Sequence, residues 1–126
     1  MATIADVITT VDKLRPNQYS TDVKIRWLSD CDGTIYSELK TAYEQSDMPE
    51  TFVGYTAETD PETVLLAPAP HDVLYRYYLM AQIDYHNGEM PKYNNSTAQY
   101  NAALQAYKNW YNRTYMPSNK AAYYKL

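Results

Sequence analysis

Between Pro70 and Gly88 the chain carries a helical stretch with almost no polar side. Val73, Leu74, Tyr75, Tyr77, Tyr78, Leu79, Met80, Ala81, Ile83 and Tyr85 leave only a narrow polar strip. Pro70 suits a first helical turn and Gly88 suits the position just past the last, so the spacing predicts a helix from Pro70 or His71 to about Asn87. A helix that is apolar nearly all round must be covered from most directions. At 126 residues the chain is one domain with one core, so the cover comes from its other helices or from another copy.

Three further helices are legible. Ile4, Val7, Ile8 and Val11 follow i, i+3, i+4, i+7 over residues 3–13, with Thr3 as N-cap and Arg15-Pro16 as the stop. Ser20 or Thr21 opens a helix over 21–43 with the stripe Ile25, Leu28, Cys31, Ile35, Leu39 and Ala42, and Trp27 beside it. Gly33 sits inside that pattern, at a cost of about 1 kcal/mol relative to Ala. Tyr93, Thr97, Tyr100, Leu104, Tyr107 and Tyr111 step by fours and threes through a helix over 92–113. The short connection 88–91 predicts an antiparallel hairpin with the helix before it.

Residues 45–69 break the rhythm with Pro49, Gly54, Pro61 and Pro68. Residues 51–53 and 63–66 read as short strands around a hairpin-like turn at 57–61. Asp47, Glu50, Glu58, Asp60 and Glu62 fall here with no base among them. Pro117 closes the last helix, leaving 114–126 as an extended arm. The expected fold is therefore mainly α: a four-helix bundle-like domain over 1–113, with a long loop or short β-hairpin at 45–69 and a C-terminal arm.

Leu, Ile, Val and Phe are scarce, together 21 of 126. Fifteen tyrosines replace them. Tyrosine buries a ring while its hydroxyl seeks a partner, which suits surfaces half buried and half wet. Both a tyrosine-rich core and a tyrosine-rich interface are open, with Tyr75, Tyr93, Tyr100, Tyr107 and Tyr111 as candidates for subunit contact. Charge is segregated. Residues 1–89 hold all 15 acids and net −9, whereas 90–126 hold five bases, no acid and net +5. A basic segment of this kind seeks an acidic protein, a neighbouring copy or nucleic acid, or folds back on its own acidic body. Five charges over so many residues make a sparse DNA footprint, which favours protein.

Catalytic signatures are weak. Asp30-Cys31-Asp32-Gly33-Thr34 matches the D-x-D-G-T string of haloacid-dehalogenase-type phosphotransferases. That chemistry needs the two acids at the end of a buried parallel strand, whereas Lys24–Ser29 reads as helix. An EF-hand loop is excluded by the early Gly33 and the missing closing Glu. His71 and His86 are set about 22 Å apart by helical rise, too far to share a metal. Cys31 lacks a histidine at helical spacing and reads as core. No phosphate-binding or dinucleotide-binding glycine motif occurs, and no cofactor or metal is expected. Residues 1–15 carry Asp6, Asp12, Lys13 and Arg15 and do not read as a secretory leader. No apolar run has membrane-span length, and a lone cysteine suits a reducing compartment such as the cytosol.

Several strings together resemble a family. They are Val11–Tyr19, Lys24–Ser29, Leu65–Tyr75, Tyr78, Ala81, Asp84–Glu89, Lys92–Ser96, Tyr100–Ala103 and Tyr107–Pro117. This pattern covers most of the chain, with 45–63 least alike, and resembles tailed-bacteriophage head–tail connector (adaptor) proteins. The resemblance implies a non-enzymatic structural protein of the virion neck, assembled in the host cytoplasm. It implies a ring, commonly twelvefold, that sits beneath the portal protein, extends the DNA channel and meets stopper or tail-completion proteins. Double-stranded DNA would pass through without sequence-specific binding, and no membrane is involved. C-terminal arms of similar adaptors reach the portal, which here points to Tyr115, Met116, Lys120, Tyr123, Tyr124 and Lys125. Glu50, Glu58, Asp60 and Glu62 are candidates for a channel-facing or stopper-facing loop. A stopper or tail-completion ring, or a DNA-packaging accessory protein, remain the alternative roles.

Overall fold

The computed structural model describes residues 2–42 and 48–115. It contains four helices: α1 (Ile4–Leu14), α2 (Thr21–Ala42), α3 (Val73–His86) and α4 (Met90–Thr114). The α1 start is a capping box, in which Thr3 Oγ1 accepts from the Asp6 amide and the Asp6 carboxylate accepts from the Thr3 amide. Gly33 does not interrupt α2. The Phe52 ring lies over it at a distance where an added Cβ would make an ordinary contact of 3.8 Å. α3 begins later than expected, because turns closed by His71 N–Pro68 O and Leu74 N–His71 O occupy 68–72. Gly88, at φ 74°, makes the left-handed stop after α3.

α3 is the hub. It packs against α1 and α2, and most extensively against α4. Leu74, Tyr75, Leu79 and Ile83 are fully buried, so one side of the apolar helix is covered within a single chain, while Tyr85 stays 54 % exposed and Val73, Tyr77, Tyr78 and Met80 are half-buried. The opposite side of the core comes from Ile4, Val11, Leu28, Cys31 and Ile35 of α1 and α2. α4 lies on the outer side of α3. Its backbone approaches neither α1 nor α2 closely, and it reaches α2 only through long side chains: the Tyr100 hydroxyl lies 3.8 Å from Cys31 Sγ, and Lys108 pairs with Glu38 at 2.6 Å.

The hairpin expected at 51–66 is not formed. Among the described residues the one bridge in this region joins Val64 to Thr3, antiparallel. Ile4 and Ala5 donate to Thr63 O and Pro61 O, and Leu65 donates to Ala2 O. The first amides of a helix have no partner within it. Here the 61–63 backbone supplies carbonyls for two of those at α1, which draws the second half of the loop away from the first.

Candidate functional site

The D-x-D-G-T string occupies the middle of α2, and its two acids have opposite environments. Asp30 is exposed, whereas Asp32 is completely buried. Asp32 Oδ1 accepts from the Tyr75 hydroxyl at 2.5 Å, and Oδ2 accepts from the Tyr55 hydroxyl at 2.6 Å and the Leu66 amide at 3.1 Å. The Tyr75 oxygen in turn accepts from the Ala67 amide at 2.6 Å. One carboxylate thus fastens α2, α3 and the loop together. Burial pushes the Asp32 carboxyl above its ordinary value, and the three hydrogen bonds pull it back in part. Burial and then the charge of Asp32 push both tyrosines upward, so they stay protonated as donors. The Cys31 thiol is also pushed up, by burial first and Asp32 second, which makes it a poor nucleophile. Both Asp32 oxygens are committed to these donors. Among the described residues no group of three His, Cys, Asp or Glu could hold a metal.

The same loop is fixed to the α2 surface further along. The Tyr36 hydroxyl donates to Glu50 O at 2.6 Å, and Phe52 stacks on Tyr36 with centroids 5.7 Å apart. Gly54, at φ 81°, brings the backbone so near that a Cβ there would meet Ser29 Oγ at 2.7 Å, while Ser29 Oγ accepts from the Tyr55 amide at 3.0 Å. This leaves Val53 93 % exposed on an anchored segment. An open groove of about 760 Å³ runs beside it, with Asp30, Thr34 and Glu38 on its floor.

The acidic residues do not form one surface. Glu50 lies beside α2 near its C-terminal end, 3.8 Å from Lys40. Glu58 shares a surface pocket with Asp22 and Arg26 of the first α2 turns. Residues 26 and 40 of a helix stand about 21 Å apart. Asp60 and Glu62 continue from Glu58 toward α1, where Asp60 caps a turn by accepting from the Glu62 amide at 3.0 Å. Glu50 is therefore separate from the other three.

The five tyrosines expected at a subunit interface also divide. Tyr75, Tyr107 and Tyr111 are completely buried inside the chain and present no surface to a neighbour. The heptad-like spacing of α4 is real, but it faces α3. Tyr93, against Tyr85 at 5.3 Å, and Tyr100, against Tyr78 at 5.2 Å, are half-buried. Of the arm, Thr114 belongs to α4 and Tyr115 packs on Tyr111 with centroids 4.4 Å apart. Met116, Lys120, Tyr123, Tyr124 and Lys125 lie outside the described residues.

One feature escaped the sequence reading. Asp84 is completely buried, accepting from Arg15 at the end of α1 and from the Ser96 hydroxyl of α4 at 3.0 Å. An acid inside an otherwise apolar helix was the available signal. The face of α4 opposite its heptad-like stripe is polar, as its Asn, Gln and Lys residues suggest. Asn94, Asn95, Ala98, Gln99, Asn101, Ala102, Gln105, Ala106 and Asn109 are all exposed, and the whole helix contains no acid. No helix among the described residues is long and apolar enough to cross a membrane. Comparison of the chain with protein-family profiles, with curated proteins and with solved structures finds no match.

Proposed function

We propose that this chain is a ring-forming subunit of a phage head–tail connector of the adaptor type, linking the portal of the capsid to the tail and continuing the DNA channel. The strings that resemble that family carry the reading, since they run through all four helices. The architecture is compatible with it. α3 buries Leu74, Tyr75, Leu79 and Ile83 within the protomer, and the loop anchored by Asp32 offers a fixed surface. Asp32 acts in this reading as a structural acid.

The segment after Tyr115 is the proposed contact with the portal. Tyr115 packs on α4, so the boundary moves one residue beyond it. The test is co-expression with the portal protein encoded in the same phage genome, read by mass photometry and electron microscopy. The full chain should decorate portal as a ring, and a chain ending at Tyr115 should keep its thermal midpoint but lose portal binding. A full chain that stays monomeric with portal, or binds tail proteins and not portal, sinks the adaptor assignment.

A further inference from the structure

α4 is long, exposed along one side and acid-free, which is an unusual combination. Exposed helix surfaces ordinarily mix both signs of charge at about 25–35 % of positions. Between Lys92 and Lys108 the outer face of α4 instead shows only amides and alanines. Lys92 and Arg113 mark its two ends and are exposed; Lys92 pairs with Glu89 three residues back at 3.2 Å, and Lys108 leans back to Glu38. The exposed positions recur every three or four residues, so they form one continuous stripe about 30 Å long. α4 packs on α3 and on His71 of the turn before it, and this stripe stays exposed among the described residues.

A surface of the opposite kind lies across the molecule. The loop section 58–62 packs on α1 and α2, not on α4, with Ala5 donating to Pro61 O at 2.9 Å. Glu58, Asp60 and Glu62 are exposed there, with Asp22 of α2 and Asp6 of α1 on the adjoining helices. Arg26 is the one base lining the pocket shared by Asp22 and Glu58. Val64, at the far edge of this section, is half exposed. The turn also presents exposed backbone, for which primary amides are versatile partners because each offers two donors and an acceptor.

We propose that the outer face of α4 docks onto the acidic 58–62 face of a second copy of this chain. The two faces differ and share no residue, so the contact is heterologous and propagates head to tail. Asn and Gln side chains on α4 hydrogen-bond the loop backbone and carboxylates. Small Ala98, Ala102 and Ala106 allow close approach, and Lys92 and Arg113 set the direction by facing the acids. The proposal rests on the ring reading above and adds which surfaces meet. It also gives Glu58, Asp60 and Glu62 a protein neighbour rather than DNA.

Cysteine cross-linking of the full chain tests it. Ala102→Cys places a thiol on the α4 face and Glu58→Cys places one on the loop, both at exposed positions, while native Cys31 is buried. Mixed one to one and treated with a short bis-maleimide, the two variants should give a covalent dimer, and neither should do so alone. A chain carrying both cysteines should give a ladder of multimers. Cross-linking of either single variant with itself would show an isologous contact and overturn the proposal. Absence of a mixed dimer while mass photometry shows multimers would place the ring interface elsewhere and leave the ring reading standing. Multimers of no kind, with or without portal, would remove both. As a second arm, Lys92→Glu with Arg113→Glu should weaken self-association about tenfold or more. Adding Glu58→Lys and Glu62→Lys to the same chain should restore it, and a failure of that rescue in a folded protein also counts against the pairing.

Discussion

Tyr75→Phe removes one oxygen and leaves the ring in place, which isolates what the buried network contributes. The Tyr75 ring is completely buried, so no apolar surface is lost and the void is no larger than a hydroxyl. Two bonds vanish: the 2.5 Å donation to Asp32 Oδ1 and the 2.6 Å acceptance from the Ala67 amide. A hydrogen bond to a charged group contributes about 1.5–3 kcal/mol, and a stranded buried amide costs about 1–3 kcal/mol. The expected loss is about 3–4 kcal/mol at pH 7, a large share of the roughly 5–15 kcal/mol typical of a domain. For a chain of this length that corresponds to a midpoint about 10–15 °C lower. The pH dependence has a definite sign. The folded pKa of Asp32 lies above its ordinary 3.8, so the folded state holds the proton more tightly and stability falls as pH rises from 3.8 through the folded value. The Tyr75 hydroxyl lowers that pKa, so losing it raises the folded value further and the penalty grows with pH. Urea unfolding followed by far-ultraviolet circular dichroism at pH 4.5 and pH 7 measures both effects. Tyr85→Phe serves as the control, because that ring is half exposed and the change should stay within about 0.5 kcal/mol. A Tyr75→Phe loss below about 1 kcal/mol at pH 7 would refute the view that Asp32 fastens the loop to the helices.

Three further outcomes follow from other contacts. Arg15→Met leaves the buried Asp84 carboxylate with Ser96 and no cation, and should cost about 3–5 kcal/mol in urea unfolding, with Asp84→Asn recovering part of the loss in the double variant. Gly54→Ala forces a side chain into a left-handed backbone and onto Ser29 Oγ, so it should destabilise by more than 1 kcal/mol and speed proteolysis within 48–56, whereas Val53→Asp next door should do neither. Cys31 should resist a thiol-specific chromogenic reagent at pH 8 in the folded protein and react fully in denaturant; rapid labelling of the native state would contradict its burial.

The four helices and their faces were legible because each carries a local signal: the 3.6-residue stripe of α1, the capping Thr3, the stop at Gly88 and the nearly unbroken apolar surface of α3. The 51–66 region was misread because strand-like composition says nothing about partners. Val64 found Thr3, and the α1 amides took the loop carbonyls that a hairpin would have used. The tyrosines of α4 show the same limit. Periodicity located Tyr107 and Tyr111 on one face, but only the placement of α3 decided that this face turns inward.

The starting feature was a helix too apolar to be left uncovered. The sequence alone determined that α3 must be central, since its composition leaves only a narrow polar strip. It also determined the separation of acidic and basic residues along the chain. Only the tertiary structure decided how far one chain wraps α3, burying Leu74, Tyr75, Leu79 and Ile83 but leaving Tyr85 54 % exposed, because that depends on how α1, α2 and α4 are angled around it. Only the structure revealed that Asp32, the residue most suggestive of chemistry as a string, is held by Tyr55, Tyr75 and Leu66. Those partners lie 23, 43 and 34 positions away, and nothing in local spacing encodes such an encounter.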